Sequence, residues 1–247
     1  DNSFVYIFFR TLKALVDKFH PTQCFFVLEG RPQFRYDLYP QYKANRIIKS
    51  GSTSESKVDF DRQKNIIIEL LNFLPIGIAK AAAYEADDSI YTLVNNLRDE
   101  EVTIVSSDSD YIQLLQEFRK YKIHLYNPIK KQYISPPEKY SYLVWKSIAG
   151  DKSDSIPAID AKNAEQIASS PEMLKAFLNS EENRANFSLN RELITMKLVP
   201  NNDLEIKYGK LNSEKLKEKF LELEFFSFFR KDYFERFIST FKALEAT

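Results

Sequence analysis

Val102-Thr103-Ile104-Val105-Ser106-Ser107-Asp108-Ser109-Asp110 reads as a short buried strand running into two carboxylates. A continuous apolar run with no polar alternation suits a strand covered on both faces, as in a parallel sheet. Working outward, residues 24–28 (Cys24-Phe25-Phe26-Val27-Leu28) form a second run of this kind and end at Glu29, and residues 122–126 are a candidate third strand. Helical spacing separates them. Phe8, Leu12, Leu15, Val16 and Phe19 recur in phase over 8–19. Ile66, Ile67, Leu70, Leu71 and Leu74 do so over 62–74, stopped by Pro75 and Gly77. Ile90, Leu93, Val94 and Leu97 mark a helix over 88–97, with Asp87 or Asp88 near its cap. Strands alternating with helices predict an α/β fold with a central, mostly parallel sheet flanked by helices. Ligands of such sheets bind beyond the carboxyl ends of the strands, where Glu29 and Asp108 fall.

From about residue 136 the pattern turns helical, over 142–148, 161–168, 173–178 and 213–223, with little strand signal. The expected division is an α/β core over 1–135 and an appended helical subdomain over 136–247. Residues 49–57 (Lys-Ser-Gly-Ser-Thr-Ser-Glu-Ser-Lys) are of low complexity and read as a mobile loop.

Composition narrows the classes. The chain has 247 residues, 44% of them hydrophobic, enough for a real core. No apolar run is long enough to predict a membrane span, and no charged-then-apolar leader is evident. One cysteine, Cys24, excludes an internal disulfide, and its apolar surroundings predict a buried thiol. Together these predict an intracellular, soluble protein. The formal net charge is zero, which counts against a simple polyanion binder, but local fields rather than totals steer a polyanion.

Acidic residues recur where elements end. Asp1 opens the chain, and Glu29 closes a strand. Glu85, Asp87 and Asp88 crowd into Glu85-Ala86-Asp87-Asp88. Asp108 and Asp110 follow a strand, and Asp151 and Asp154 sit in Gly150-Asp151-Lys152-Ser153-Asp154. A single acid commonly caps a helix, but clustered acids repel each other, which capping does not call for. Carboxylates gathered at one edge of a sheet stay ionised together when cations lie between them. Oxygen-rich sites of that kind suit Mg²⁺ or Mn²⁺, and two such ions are the usual equipment for phosphodiester cleavage. Arg31, Arg35, Lys43 and Arg46 interleave with Phe34, Tyr36, Tyr39 and Tyr42, a mixture suited to single-stranded nucleic acid. His20 and His124 lie apart and read as structural. No Gly-rich phosphate loop, Ser-His-Asp pattern or Cys-His zinc spacing is evident.

In this order, four segments resemble the flap endonuclease or 5′-nuclease superfamily, with its PIN-like core. They are Phe34-Arg35-x-x-Leu38-Tyr39-x-x-Tyr42-Lys43-Ala44-Asn45-Arg46, Tyr84-Glu85-Ala86-Asp87-Asp88, Ser107-Asp108-Ser109-Asp110 and Gly150-Asp151-Lys152-Ser153-Asp154-Ser155-Ile156-Pro157. The likeness is greatest to the 5′→3′ exonuclease domain of bacterial DNA polymerase I and its stand-alone and phage relatives. The resemblance implies a helical arch over the site and a helix-hairpin-helix module in the helical part. It implies that Asp1, Glu29, Glu85, Asp87 and Asp108 surround one divalent ion. Asp108, Asp110, Asp151 and Asp154 would serve a second, with Asp88 in support. Lys43 and Arg46 would contact the scissile phosphate. Arg31, Arg35, Tyr39, Tyr42, Lys152 and Lys162 complete the implied DNA contacts. The implied activity is 5′→3′ exonuclease or flap endonuclease on DNA with a 5′ end, flap or nick, or on an RNA–DNA hybrid, by a monomer. A non-cutting DNA-binding relative and a PIN-type ribonuclease are the alternatives. Compositional bias toward Lys, Asn, Ile, Phe and Tyr fits a plastid, mitochondrial or phage setting.

Three departures stand out. Glu29 replaces the usual Asp, and Ser155 the usual Asn. The hairpin, normally Gly-Val-x-Gly-Ile-Gly-x-Lys, reads Ala158-Ile159-Asp160-Ala161-Lys162-Asn163-Ala164-Glu165. Losing its glycines removes close backbone approach to phosphate, which puts duplex binding and the family's K⁺ site in doubt.

Overall fold

The computed structural model describes residues 2–45 and 54–245. Among these residues two three-stranded sheets and their helices form an α/β fold, and the chain divides into two compact units, each discontinuous in sequence.

One unit comprises residues 1–28, 51–80 and 204–247. Its helix α1 (Ser3–Phe19) starts five residues before the predicted 8–19. Val5, Phe9 and Val16 carry its buried stripe, while Phe8 and Leu12 pack at the edge. Strand β1 (Phe25–Leu28) runs parallel to β2 (Gly77–Ala81), and Leu204–Tyr208 completes the sheet in the order β1-β2-Leu204–Tyr208. Helix α3 (Ser54–Leu71) takes up the second half of the segment read as a mobile loop; 49–53 lie outside the described residues. Helices 213–222 and 233–242 close the unit. Its core is aromatic: Phe220 meets Phe228, Phe9, Phe225 and Phe237 at ring-centroid distances of 4.7, 5.6, 5.6 and 5.7 Å, mostly edge to face, the arrangement that ring quadrupoles favour.

The other unit comprises residues 29–50 and 81–203. In chain order it holds α2 (Gln33–Leu38), α4 (Ala86–Asn96), β3 (Val102–Val105), α5 (Ile112–Glu117), β4 (Ile123–Asn127), β5 (Gln132–Ile134), α6 (Tyr142–Ala149), α7 (Ala164–Ser169), α8 (Pro171–Phe177) and α9 (Glu181–Ile194). Strands β3 and β4 are parallel. The connection from Asn127 to Gln132 is too short for a crossover, so β5 returns antiparallel. Val94, Ile104, Leu114, Leu115, Ile123 and Leu125 form the core beneath this sheet.

Two expectations are corrected. Among the described residues the predicted single central sheet is two three-stranded sheets, of which β3-β4-β5 is mixed. The stretch after 136 is not purely helical: Leu204–Tyr208, strand β6, alternates polar Glu205 and Lys207 with half-buried Leu204 and Ile206. Two charges among five residues conceal such a half-covered strand from a search for apolar runs.

Candidate active site

Every described acid of the predicted site lies in the second unit. After Glu29 the chain passes Gly30, where a Cβ would stand 2.0 Å from the Ala81 carbonyl oxygen and 2.3 Å from that of Tyr84. Arg31 N–H donates to the Ala82 carbonyl at 2.8 Å. This close backbone approach brings the exposed Glu29 to the first turn of α4, where its Oε2 accepts from Ala86 N–H at 2.9 Å.

Beside it, Glu85 is 4% exposed and ringed by donors. Lys43 Nζ pairs with its Oε1, and Tyr42 hydroxyl and Arg35 Nη1 each lie 3.0 Å from its Oε2. The Tyr42 hydroxyl also stands 3.2 Å from Asp154 Oδ2, so its single proton can serve one of the two acids at a time. Lys43 Nζ lies 3.9 Å from both Glu29 and Asp154.

The second group forms around α6. Asp108 caps the short 3₁₀ turn Ser109–Tyr111 by accepting from Asp110 N–H at 2.9 Å. Lys146, 7% exposed, pairs with Asp110 and reaches Asp151 Oδ2 at 2.7 Å. Gly150 ends α6 with φ +73°, turning the chain back so that Asp151 and Ile156 exchange backbone hydrogen bonds at 2.9 and 2.8 Å. Asn190 Nδ2 donates to the Ser147 and Pro157 carbonyls, both at 2.9 Å, and so holds the two ends of this acidic turn. From the other side, Lys43 N–H donates to the Asp154 carbonyl at 2.8 Å and Asn45 N–H to Ser155 Oγ at 3.0 Å. Ser155 has φ +61°, a left-handed conformation that Asn adopts more readily than Ser.

The result is a cavity of about 310 Å³ whose lining includes Asp87, Asp108, Asp110, Asp151, Asp154, Lys146 and Lys152. A narrow recess lined by Glu85, Asp87, Asp110, Asp151 and Asp154 adjoins these acids. Electrostatics follow from the crowding. Burial pushes Asp87 up to about 6; the Tyr111 hydroxyl bond opposes this, while Asp108, Glu85 and Glu29 add to it. Burial also raises Asp110 and outweighs the pull of Lys146. Asp151 goes the other way: burial alone would raise it, but bonds from Lys146 and Ser153 bring it down to about 2. Burial works against the Lys146 ammonium, yet Asp110 more than offsets it and the pKa rises.

A set of carboxylate oxygens has the chemistry that hard divalent cations take. The fit is one of donors rather than finished spacing. Among the described residues no three such acids are grouped closely enough to hold an ion, and the ammonium groups of Lys43 and Lys146 supply the positive charge between them.

Several predicted roles change. Asp88, implied as a supporting metal residue, is fully buried. Its Oδ2 accepts from Arg35 Nη1 at 2.6 Å and Glu85 N–H at 3.1 Å. Its Oδ1 accepts from Arg35 Nη2 at 2.8 Å and Lys197 N–H at 2.7 Å. Arg35, implied as a DNA contact, is 2% exposed and also donates to the Leu193 and Thr195 carbonyls, so it braces the site from within. Tyr42, at 4% exposure, is covered and unable to stack on a base. Tyr39 is half-buried, and its hydroxyl bonds Gln41 at 3.2 Å. Arg31, Lys152 and Lys162 are exposed. Asp1 and Arg46 lie outside the described residues. The sequence reading missed Lys146; its signal is a single charge in the otherwise uncharged helix Tyr142-Leu143-Val144-Trp145-Lys146-Ser147-Ile148-Ala149.

The family model described as 5′-3′ exonuclease, N-terminal resolvase-like domain, matches residues 2–141. The thermostable DNA polymerase I of Thermus filiformis is 33% identical over 167 residues, covering 63% of this chain and 18% of the polymerase. The 5′-3′ exonuclease of Mycobacterium tuberculosis is 37% identical over 95 residues, 36% of this chain and 30% of that protein. The chain thus spans less than a third of these relatives. The T5 D15 protein co-crystallised with metal ions superposes with a TM-score of 0.60 at 17% identity, over 98% of this chain and 92% of that one. The bacteriophage T5 D15 flap endonuclease, in a pseudo-enzyme–product complex with DNA and metal ions, gives 0.58 at 18% identity, over 98% and 91%. At such identities the likeness is one of fold.

Proposed function

The chain belongs to the family of the 5′-3′ exonuclease N-terminal, resolvase-like domain, and from that premise we propose that it is a divalent-metal-dependent 5′ nuclease acting on DNA with a free 5′ end or flap. The observation that carries the proposal is the convergence of Asp87, Asp108, Asp110, Asp151 and Asp154, from three separate segments, on one cavity. In this reading Glu29, Glu85, Asp87 and Asp108 hold one ion, as the resemblance also implies for Asp1. Asp108, Asp110, Asp151 and Asp154 hold the other. The chemistry divalent ions supply in such a site is a water made nucleophilic near neutral pH and counter-charge for the phosphate and its leaving oxygen. Lys43, whose ammonium lies against Glu85 at the edge of the site, would meet the scissile phosphate and stabilise its developing charge. The buried Arg35–Asp88 pair fixes Glu85, and Asn190 and Gly150 fix the turn that bears Asp151 and Asp154.

Cleavage of a 5′-flap DNA in Mg²⁺ or Mn²⁺, absent in chelator, tests the reading. Asp108→Asn abolishes cleavage and retains DNA binding if the assignment holds; undiminished turnover of that variant in excess Mg²⁺ removes Asp108 from the chemistry. A second reading, a relative that holds branched DNA without cutting it, is favoured by one observation: Lys43 and Lys146 already neutralise acids of the site. The same assay separates the two, since the second predicts flap binding with no product in either metal.

A further inference from the structure

Outside the acidic cavity, a concentration of unmatched positive charge lies on the unit that contains α1. There Tyr233 opens the helix Tyr233–Lys242. The Arg10 guanidinium carbon sits 4.7 Å from its ring centroid, Lys13 Nζ 5.8 Å and the Arg236 guanidinium carbon 6.0 Å. Arg10 also lies 5.7 Å from the Tyr6 ring centroid and donates to the Tyr6 hydroxyl at 3.0 Å; that hydroxyl is 2.6 Å from Ser227 Oγ. Arg230 and Lys231 occupy the turn just before the helix, where Lys231 and Asp232 have φ of +50° and +56°.

Lys13 has Asp17 as a partner. Arg10, Arg230, Lys231 and Arg236 are exposed, and among the described residues none is in ion-pair contact with a carboxylate. The local field registers on Tyr6. Burial acts to raise its pKa, but the Ser227 and Arg10 bonds and the charges of Arg10 and Arg230 prevail and lower it. The Ser227 bond is the largest of these and the two charges add to it, while burial keeps Tyr233 raised beside the same cations.

We propose that this surface is a second nucleic-acid contact, a site for the phosphodiester backbone on the unit that contains α1. It rests on the nuclease reading above. Tyr233 lies against the Arg10 guanidinium and the Tyr6 hydroxyl takes one N–H from Nη1, which orients the group and leaves its other donors for a phosphate. The guanidinium and ammonium groups that cover Tyr233 also keep its ring from stacking on bases, so the contact reads charge and not sequence. Several unpaired cations on one face match a ligand whose charge repeats along its length. Their contribution is released counterions, and the signature is salt dependence.

The test is DNA binding by the full chain in EDTA, with affinity for a flap duplex followed across salt concentrations. The double variant Arg10→Ala/Arg236→Ala loses roughly 10- to 100-fold in affinity at low salt, and the log–log salt slope becomes shallower by about one per cation removed. Arg236→Glu, which leaves the Arg10–Tyr6 contact in place, gives a loss in the same direction, and Arg10→Lys recovers part of it. A melting temperature equal to the parent's shows that each variant is folded. A parent chain that cuts flap DNA, with folded variants matching its affinity and slope, overturns this site alone. A parent that neither binds nor cuts flap DNA overturns the nuclease reading together with it.

Discussion

Asp88 has both oxygens committed, to the Arg35 fork and to two backbone N–H groups. Removing one partner of such a pair strands a buried charge, at a cost of about 3–5 kcal/mol. Asp88→Ala is therefore expected to lower the denaturation midpoint steeply, and Arg35→Met/Asp88→Leu to recover much of the loss; a single variant as stable as the parent contradicts the bracing role. Asp87 shows the reverse economy. Its carboxyl stands at about 6, above the ordinary 3.8, because burial and three neighbouring acids resist its ionisation. A raised carboxyl binds protons on folding, so stability falls as pH climbs from about 4 through about 6 and stays low above that. In chelator, Asp87→Asn is expected to be more stable than the parent above pH 6, by roughly 1–3 kcal/mol, with the gap closing toward pH 4. Equal melting temperatures at pH 8 would refute this. Which acids share a cavity was not legible in the sequence: Asp87 and Asp88 are adjacent in the chain, yet the cavity takes the first and the interior the second.

The turn after α6 sets Asp151 and Asp154 in place, and Gly150 makes that turn possible. A Cβ at Gly150 would lie 2.6 Å from Ala158 N and 2.7 Å from Ile156 O, both backbone atoms that cannot rotate away, and φ is already +73°. Gly150→Ala is expected to cost about 1–3 kcal/mol and to weaken Mn²⁺ binding measured by calorimetry. Full stability with unchanged Mn²⁺ affinity would show that the turn tolerates a side chain. Helix α6 itself was readable, since 142–148 falls within Tyr142–Ala149. The inward course of Lys146 was not, because a charge on an apolar helix is ordinarily solvated and here Asp110 and Asp151 draw it in.

Each compact unit has its own core, and that of the α1 unit is built from phenylalanines scattered between residues 9 and 241. Phe228 is fully buried and meets Phe220, Tyr6, Tyr233 and Phe237 at 4.7, 5.3, 5.3 and 5.6 Å. Phe228→Ala is expected to cost about 3–5 kcal/mol in urea denaturation, whereas exposed Phe226→Ala costs under about 1 kcal/mol. Equal effects would mean that the aromatic cluster is not what stabilises this unit. Chain order alone located strands at 24–28 and 102–105, the helices read over 62–74 and 88–97 and every acidic segment, because apolar periodicity and the acids that follow it are local properties; it missed the short helix Gln33–Leu38 and the strand Gly77–Ala81. Three-dimensional packing assigned the strands to two sheets, exposed Leu204–Tyr208 as a strand, and separated cavity-lining acids from braced ones. Those outcomes depend on distant partners: Lys197 lies 109 residues from Asp88, and Asp154 lies 112 from Tyr42. Neither spacing nor propensity encodes such distant contacts.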